Sequence, residues 1–238
     1  MNIEQLSKRL ETVALSIPTG SKIADIGSDH AYLPCFAVKK GIAESAIAGE
    51  VAEGPFLSAE KQVKAACLED KIKVRLGNGL EVISPGEVDC ITIAGMGGAL
   101  IATILEDGKE KLQGVRRLIL QPNVSAKSIR VWLLQNEWEL TNEEIIEEDG
   151  KVYEILTADR GEPLRPYPGV EGHQKALLLG PFLMQQKNEA FQRKWRQECA
   201  QWKNILSNME KAEQSEALNE RKAELMNNIQ FVEEVLSE

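Results

Sequence analysis

No apolar run in the chain approaches the ~18 residues that a helix needs to cross a bilayer, so no membrane span and no membrane partner are expected. The opening segment, MNIEQLSKRLETVALSIPTG, has charges inside any would-be apolar region. Its Ile3, Leu6, Leu10, Val13 and Ile17 recur at helical spacing, so it reads as a helix of the fold rather than a signal peptide. Histidine is scarce: His30 and His173 cannot build a multi-histidine metal centre. Cys35, Cys67, Cys90 and Cys199 are far apart and form no CxxC, which argues against a disulfide framework and a zinc site. No metal is expected, and the cytoplasm is the simplest compartment. Proline and glycine are absent after Pro181, so the end of the chain can run as long helices.

The 238 residues suit one large domain with a smaller appendage, and an apolar fraction of 43% supports a core of ordinary size. The net charge of −9 argues mildly against a nucleic-acid partner, but its distribution matters more. Residues 183–209 carry a local excess of +3 from Lys187, Arg193, Lys194, Arg196 and Lys203, while residues 213–238 carry −5.

Short apolar runs alternate with helical patterns. The strands read as KIADI (22–26), SAIAGE up to Glu50, IKVRL from 72, DCITIAG from 89 and RRLILQPN (116–123), the last stopped by Pro122. Helices read at 34–40, with Pro34 at the first position and Gly41 at the end, then at 56–69, 99–112 and 125–138, the last with Ser125 as N-cap. Residues 139–160 read as a hairpin turning at Asp149-Gly150. This is an α/β pattern: five parallel βα units and a terminal antiparallel hairpin, which by analogy is a Rossmann-like methyltransferase sheet. It should fill residues 1–160. Residues 161–172, GEPLRPYPGVEG, read as a linker opening a second domain over 161–238. Its apolar residues predict an antiparallel helical pair with a break near Gln214, in which Trp195 and Trp202 pack as core.

In such sheets ligands bind beyond the C-terminal strand ends. The first end runs Asp25, Ile26, Gly27, Ser28, Asp29, His30, Ala31. A dinucleotide site would want G-x-G-x-x-G, and this loop instead places the Asp29 carboxylate where it would repel a pyrophosphate. An ammonium and a sulfonium would tolerate it, which favours S-adenosylmethionine over a nicotinamide cofactor. Glu50, 25 residues after Asp25, suits a ribose-binding acid, or else is an exposed strand-end charge. Asn78, between Gly77 and Gly79, can present an amide to an adenine edge or simply make the turn. The fourth end, Ala94 to Gly98, lacks the Asp/Asn-Pro-Pro-aromatic motif with which many base methyltransferases hold a target amino group. Its glycines beside Met96 leave room for a cofactor or a flat base. The fifth end supplies Gln121 and Asn123, two amides astride Pro122, which can also be no more than a rigid loop. Cys90 lies in a buried strand and reads as core.

At DIGSDHAYLP, GEV, GNGLEVI, ITIAGMGG and LILQPN the chain closely resembles the bacterial tRNA (adenine(22)-N1)-methyltransferase family, in order and spacing. The helical tail also resembles that family's coiled-coil-like domain. The resemblance implies methyl transfer from S-adenosyl-L-methionine to N1 of an adenine in tRNA. It implies a cofactor site lined by Gly27, Asp29, Glu50, Asn78 and Gly79, with Ala94, Gly95 and Met96 beside it. Asp25, Ser28 and Val51 belong to the same stretches and join the expected cofactor-binding set. For chemistry, Asp29 is the first candidate, aimed at the cationic product, with His30 and Tyr32 next to it. His30 is otherwise a structural histidine and Tyr32 otherwise core. Arg9 and the five basic residues from Lys187 to Lys203 are the expected tRNA contacts, or else solvated charges paired with acids. The sequence does not fix the oligomeric state, whether monomer or weak dimer. A small-molecule methyltransferase, a non-catalytic RNA-binding module and a nicotinamide oxidoreductase are the competing readings.

Overall fold

The computed structural model describes residues 2–167, 169, 173–209 and 215–237. Seven strands form one sheet in the order β3-β2-β1-β4-β5-β7-β6. They are β1 (Ser21–Ile26), β2 (Ala43–Glu50), β3 (Ile72–Leu76), β4 (Cys90–Gly97), β5 (Arg117–Val124), β6 (Trp138–Glu148) and β7 (Lys151–Arg160). The first five are parallel, and β7 pairs antiparallel with both β5 and β6. β6 therefore runs in the direction of β5, and the Asp149-Gly150 turn lies on the same sheet edge as the five parallel strand ends. The order reverses between β1 and β4, and that switch point opens a crevice at those ends.

Helices cover both faces, which is why the central strands β1, β4 and β5 carry runs of consecutive buried residues, while β6 alternates. One face packs α1 (Lys8–Leu15), α2 (Tyr32–Lys39) and α3 (Glu53–Ala65) over Ile23, Ala46, Ala48 and Cys90. The other packs α4 (Gly98–Asp107) and α5 (Ala126–Gln135) over Ile26, Ile91, Ile93 and Leu120. Cys90 is core, as its strand implied.

Several boundaries differ from the sequence reading. The N-terminal helix is confined to Lys8–Leu15, because Asn2 folds back on Gln5 first. Pro34 is the third helical residue of α2, not the first. Pro122 does not stop β5, which continues to Val124 through a register shift against β4. Ser125 precedes α5 at φ +60° and makes no side-chain cap. The helix expected over 99–112 ends at Asp107, and a 3₁₀ turn covers Lys109–Leu112.

Beyond β7 come α6 (His173–Leu179), α7 (Leu183–Gln186), α8 (Glu189–Met209) and α9 (Glu216–Ser237). The expected linker falls partly, and the break near Gln214 wholly, outside the described residues. α8 and α9 share a core of Phe191, Trp195, Cys199, Ile229 and Val232, against which Trp202 packs. That core also includes Ile145 of β6.

A buried ionic cluster ties these helices to the sheet. Arg130 of α5 is fully buried and bonds Glu143 of β6 at 2.6 Å and Glu154 of β7 at 2.5 Å. Its remaining N–H groups donate to the carbonyl oxygens of Leu177 and Leu178 on α6. Glu143 accepts from the Phe182 N–H, and Lys194 of α8 donates to Glu154. Burial works against the Arg130 charge, but the two glutamates outweigh it and hold its pKa above the ordinary value. Burial raises the Glu143 pKa despite Arg130 beside it. Glu154 also faces burial, but Lys194 and Arg130 together hold its pKa below the usual carboxylate value.

Candidate functional site

The loop after β1 is the most strained segment of the rim. Gly27 has φ +69°, and Asp29, His30 and Ala31 follow at +44°, +70° and +54°. Side-chain residues resist this left-handed region at a cost of order 1 kcal/mol each. Three in succession persist only where surrounding bonds impose them, a condition that favours functional loops. Here the Gly27 and Ser28 N–H groups both donate to the Gly49 carbonyl oxygen, at 2.9 and 3.2 Å. Beneath the loop, the buried Asp25 accepts from Ser28 Oγ at 2.6 Å and from Thr92 Oγ1 at 2.7 Å. Burial raises the Asp25 pKa, and the two hydroxyls pull it back. Asp25 and Ser28 thus brace the loop from below.

The turn throws Asp29 outward, with its side chain 82% exposed. His30 is about half exposed, its Nε2 is 3.5 Å from Asp29 Oδ1, and its ring centroid is 5.6 Å from that of Tyr32. These three side chains form one small polar and aromatic lip.

Glu50 ends β2 beside the loop. It is buried at 5% relative exposure, not a strand-end charge in solvent. Its Oε1 has no hydrogen-bond partner. Burial raises its pKa, and the charges of Asp25 and Asp29 add to that, while the Asp29 backbone N–H opposes it. A buried acceptor of this kind costs about 1–3 kcal/mol unless a ligand completes it. Val51, the next residue, is exposed. The Gly77 N–H donates to the Glu50 carbonyl oxygen at 2.8 Å, which brings the β3 end alongside. There the exposed Asn78 leads into a 3₁₀ turn at Gly79, and its N–H is held by Glu81 at 3.0 Å.

The fourth end crosses over the first. A Cβ built on Gly27 would lie 2.2 Å from Met96 Cε, so glycine is what lets the Met96 side chain lie over the loop. Ala94, Gly95 and Met96 continue β4 past the end of its pairing with β1, at the switch point between those two strands. The structure therefore gathers Gly27, Asp29, Glu50, Val51, Asn78, Gly79, Ala94, Gly95 and Met96 along adjacent strand ends.

Arg9 reaches the same place from α1, donating to Gln121 and lying over the Tyr153 ring. The other basic candidates are spread along α7 and α8. Arg193 pairs with Glu147 and also donates to the Gly150 carbonyl oxygen, which puts it at the hairpin turn on the crevice edge. Lys194 points inward to Glu154. Arg196 bonds Gln192, Lys203 pairs with Glu233 of α9, and Lys187 closes α7 at φ +43°. Thr92, the one hydroxyl in CITIAG, went unassigned in the sequence, and a polar residue inside an apolar strand run was the available signal. Gln121, one of the two amides noted at the fifth strand end, is fully buried.

No helix among the described residues is long and apolar enough to cross a membrane. A family model described as tRNA (adenine(22)-N(1))-methyltransferase matches residues 23–234. The chain is 51% identical over 236 residues to the tRNA (adenine(22)-N(1))-methyltransferase of Bacillus subtilis strain 168, covering 99% of each chain. It superposes on a crystal structure of the B. subtilis adenine-22 tRNA methyltransferase with a TM-score of 0.94 and 50% identity, covering 98% of this chain and 99% of that one. It also superposes on a Streptococcus pneumoniae protein, proposed as an adenine-22 tRNA methyltransferase and solved in complex with S-adenosyl-L-methionine. That match has a TM-score of 0.85 and 42% identity, covering 98% of this chain and 100% of that one.

Proposed function

Because the chain belongs to the tRNA (adenine(22)-N(1))-methyltransferase family, we propose that the strand-end crevice is where it carries out that family's reaction. The protein transfers a methyl group from S-adenosyl-L-methionine to N1 of an adenine in tRNA. The observation that carries the site assignment is the open, buried Oε1 of Glu50.

The residues fit this cofactor. Glu50 offers its free carboxylate oxygen to ribose hydroxyls. Gly27 has no side chain to stand over the loop, and what lies above it is the end of the flexible Met96 side chain. Asp29 repels a diphosphate but suits an ammonium or a sulfonium. Asn78 and Gly79 would hold the adenine edge, and Val51 and Ala94 to Met96 would line the sides. Asp25 and Ser28 hold the loop in shape from beneath. S-adenosyl-L-methionine supplies an electrophilic methyl group when bound.

The remaining work belongs to the protein. Adenine N1 carries a lone pair near neutral pH, so no base has to unmask it. Alignment of N1 with the methyl carbon supplies several kcal/mol. Methylation leaves the base cationic, and the exposed Asp29 carboxylate at the lip is placed to favour that charge. Tyr32 and His30 offer ring faces to an unstacked adenine.

tRNA reaches the crevice across its hairpin edge, where Arg193 stands, with Lys187, Arg196 and Lys203 extending the basic track along the helices, while Arg9 and Lys194 are turned to Gln121 and Glu154. In this reading residues 1–160 form the catalytic domain, residues 161–238 the helical one, and the enzyme works in the cytoplasm. The test is to incubate purified protein with tRNA and methyl-labelled cofactor and map the label. Methyl transfer to N1 of adenine 22 is expected. Label confined to small molecules, or to another base, would overturn the reading.

A further inference from the structure

Pro122 sits in β5 opposite Met96, and it has no N–H to offer β4. At this point the β4–β5 register shifts around Gly95, which has φ +82°. Two side chains replace the interrupted ladder. Gln121 Oε1 accepts from the Gly95 N–H at 3.0 Å. Asn123 Nδ2 donates to the Gly95 carbonyl oxygen at 2.7 Å. Both backbone polar groups of Gly95 are thus held by amides on either side of a proline.

The clamp is anchored in turn. Gln121 is fully buried, and its Nε2 donates to the Pro122 carbonyl oxygen at 2.9 Å, which fixes which way the amide faces. Arg9, from α1 on the covering layer, donates to the same Oε1 that holds Gly95. Its guanidinium is braced by the Tyr153 ring, 5.4 Å from the centroid. A bulge held this way re-aims the following side chain. That side chain is Met96, which lies over Gly27 in the crevice.

This strand end lacks the Asp/Asn-Pro-Pro-aromatic motif found at the same place in many base methyltransferases. We propose that Arg9, Gln121 and Asn123 are positioning residues for methyl transfer, holding the Gly95 bulge so that Ala94 and Met96 present a fixed wall to the reacting groups. α1 is then part of the active site through Arg9 and not a packing element alone. The proposal rests on the methyltransferase reading of the crevice.

The test compares full-length Arg9→Ala, Arg9→Lys, Gln121→Leu, Asn123→Ala and the Arg9→Ala/Gln121→Leu double variant. It measures kcat and KM for tRNA, cofactor Kd and melting temperature. Loss of placement by about 1 Å costs up to ~100-fold in rate, so kcat should fall by about 10- to 100-fold in Arg9→Ala. KM for tRNA and cofactor Kd should stay within about 2-fold, since the lost contact is to neither ligand. Arg9→Lys, which keeps a donor, should recover part of the rate. The double variant should lose little more than the worse single one, because both break one chain of contacts. Asn123 is exposed, so Asn123→Ala should lower kcat with the melting temperature unchanged even if Gln121→Leu folds poorly. A raised KM for tRNA at unchanged kcat would make Arg9 a phosphate contact and overturn the proposal, as would additive losses or undiminished kcat. Wild-type protein inactive on tRNA would instead overturn the methyltransferase reading beneath it.

Discussion

Glu50 and Glu143 are buried glutamates at 5% and 0% relative exposure, yet their surroundings are opposite. Glu143 lies in the joint between sheet and helices, with Arg130 on one oxygen and the Phe182 N–H on the other. Glu50 lies at the crevice with one oxygen open. Burial raises the pKa of both, but Glu143 has the Arg130 guanidinium beside it to offset the cost, whereas Glu50 has chiefly the Asp29 backbone N–H. The contrast separates two uses of a buried charge. The joint satisfies its charges internally, so it is stable without a ligand and intolerant of losing a partner. The crevice leaves an acceptor and a strained loop exposed to whatever binds, so its stability is traded for recognition.

The largest effect should come from breaking the joint. Arg130→Met leaves Glu143 and Glu154 buried with only Lys194 as a cationic partner, and removing one member of a buried ion cluster costs about 3–5 kcal/mol. Urea unfolding should show it. A loss under about 1 kcal/mol would mean that the joint contributes little and would erase the contrast.

Glu50→Ala should do the reverse. Hydrogen bonds to a charged group are worth about 1.5–3 kcal/mol, so cofactor affinity should drop by roughly 10- to 150-fold in calorimetry. The cofactor-free melting temperature should hold or rise, because an uncompensated buried charge is removed. Retained affinity with a lower melting temperature would make Glu50 a structural residue like Glu143.

pH sharpens the same point. The Glu50 pKa is raised above its ordinary 4.5 in the folded protein, so the folded state holds that proton more firmly than the unfolded chain. Between the ordinary and the raised value, its contribution to stability falls as pH rises. Cofactor affinity needs the carboxylate and should rise over the same window, by up to about tenfold per pH unit. Glu50→Gln should flatten both trends. Parallel trends in wild type would show that another group controls them.

The smallest effect concerns the loop. His30 has φ +70°, and glycine there relieves a left-handed side-chain cost of order 1 kcal/mol. His30→Gly should gain a few tenths to about 1 kcal/mol in chemical denaturation and lose turnover. Lower stability would show that the turn is not strained at this position.

Much of the fold was legible because its signals are local. Each strand of the parallel sheet is a short apolar run, and Asp149-Gly150 marks the hairpin between two strand-like segments. Gly27, Glu50 and Asn78 could be named because each directly follows or ends such a run. Pro122 was misread, because a proline that usually ends a strand is tolerated here by side chains from Gln121 and Asn123. Arg130 gave only a faint sign, one of two cations in an amphipathic helix, since its partners are 13 and 24 residues away on other elements. Lys194 looked like its basic neighbours, yet it turns inward to Glu154 while Arg193 reaches the hairpin.

The order of apolar runs, glycines and strand-end acids along the chain determined the sheet class and the edge on which ligands meet it, because periodicity and turn chemistry act over a few residues. Only the packed structure decided which acid stays open and which is neutralised. It also decided that Arg9 of the first helix reaches Gln121 of the fifth strand. Burial and pairing depend on what distant segments bring to a side chain, and no local pattern encodes that.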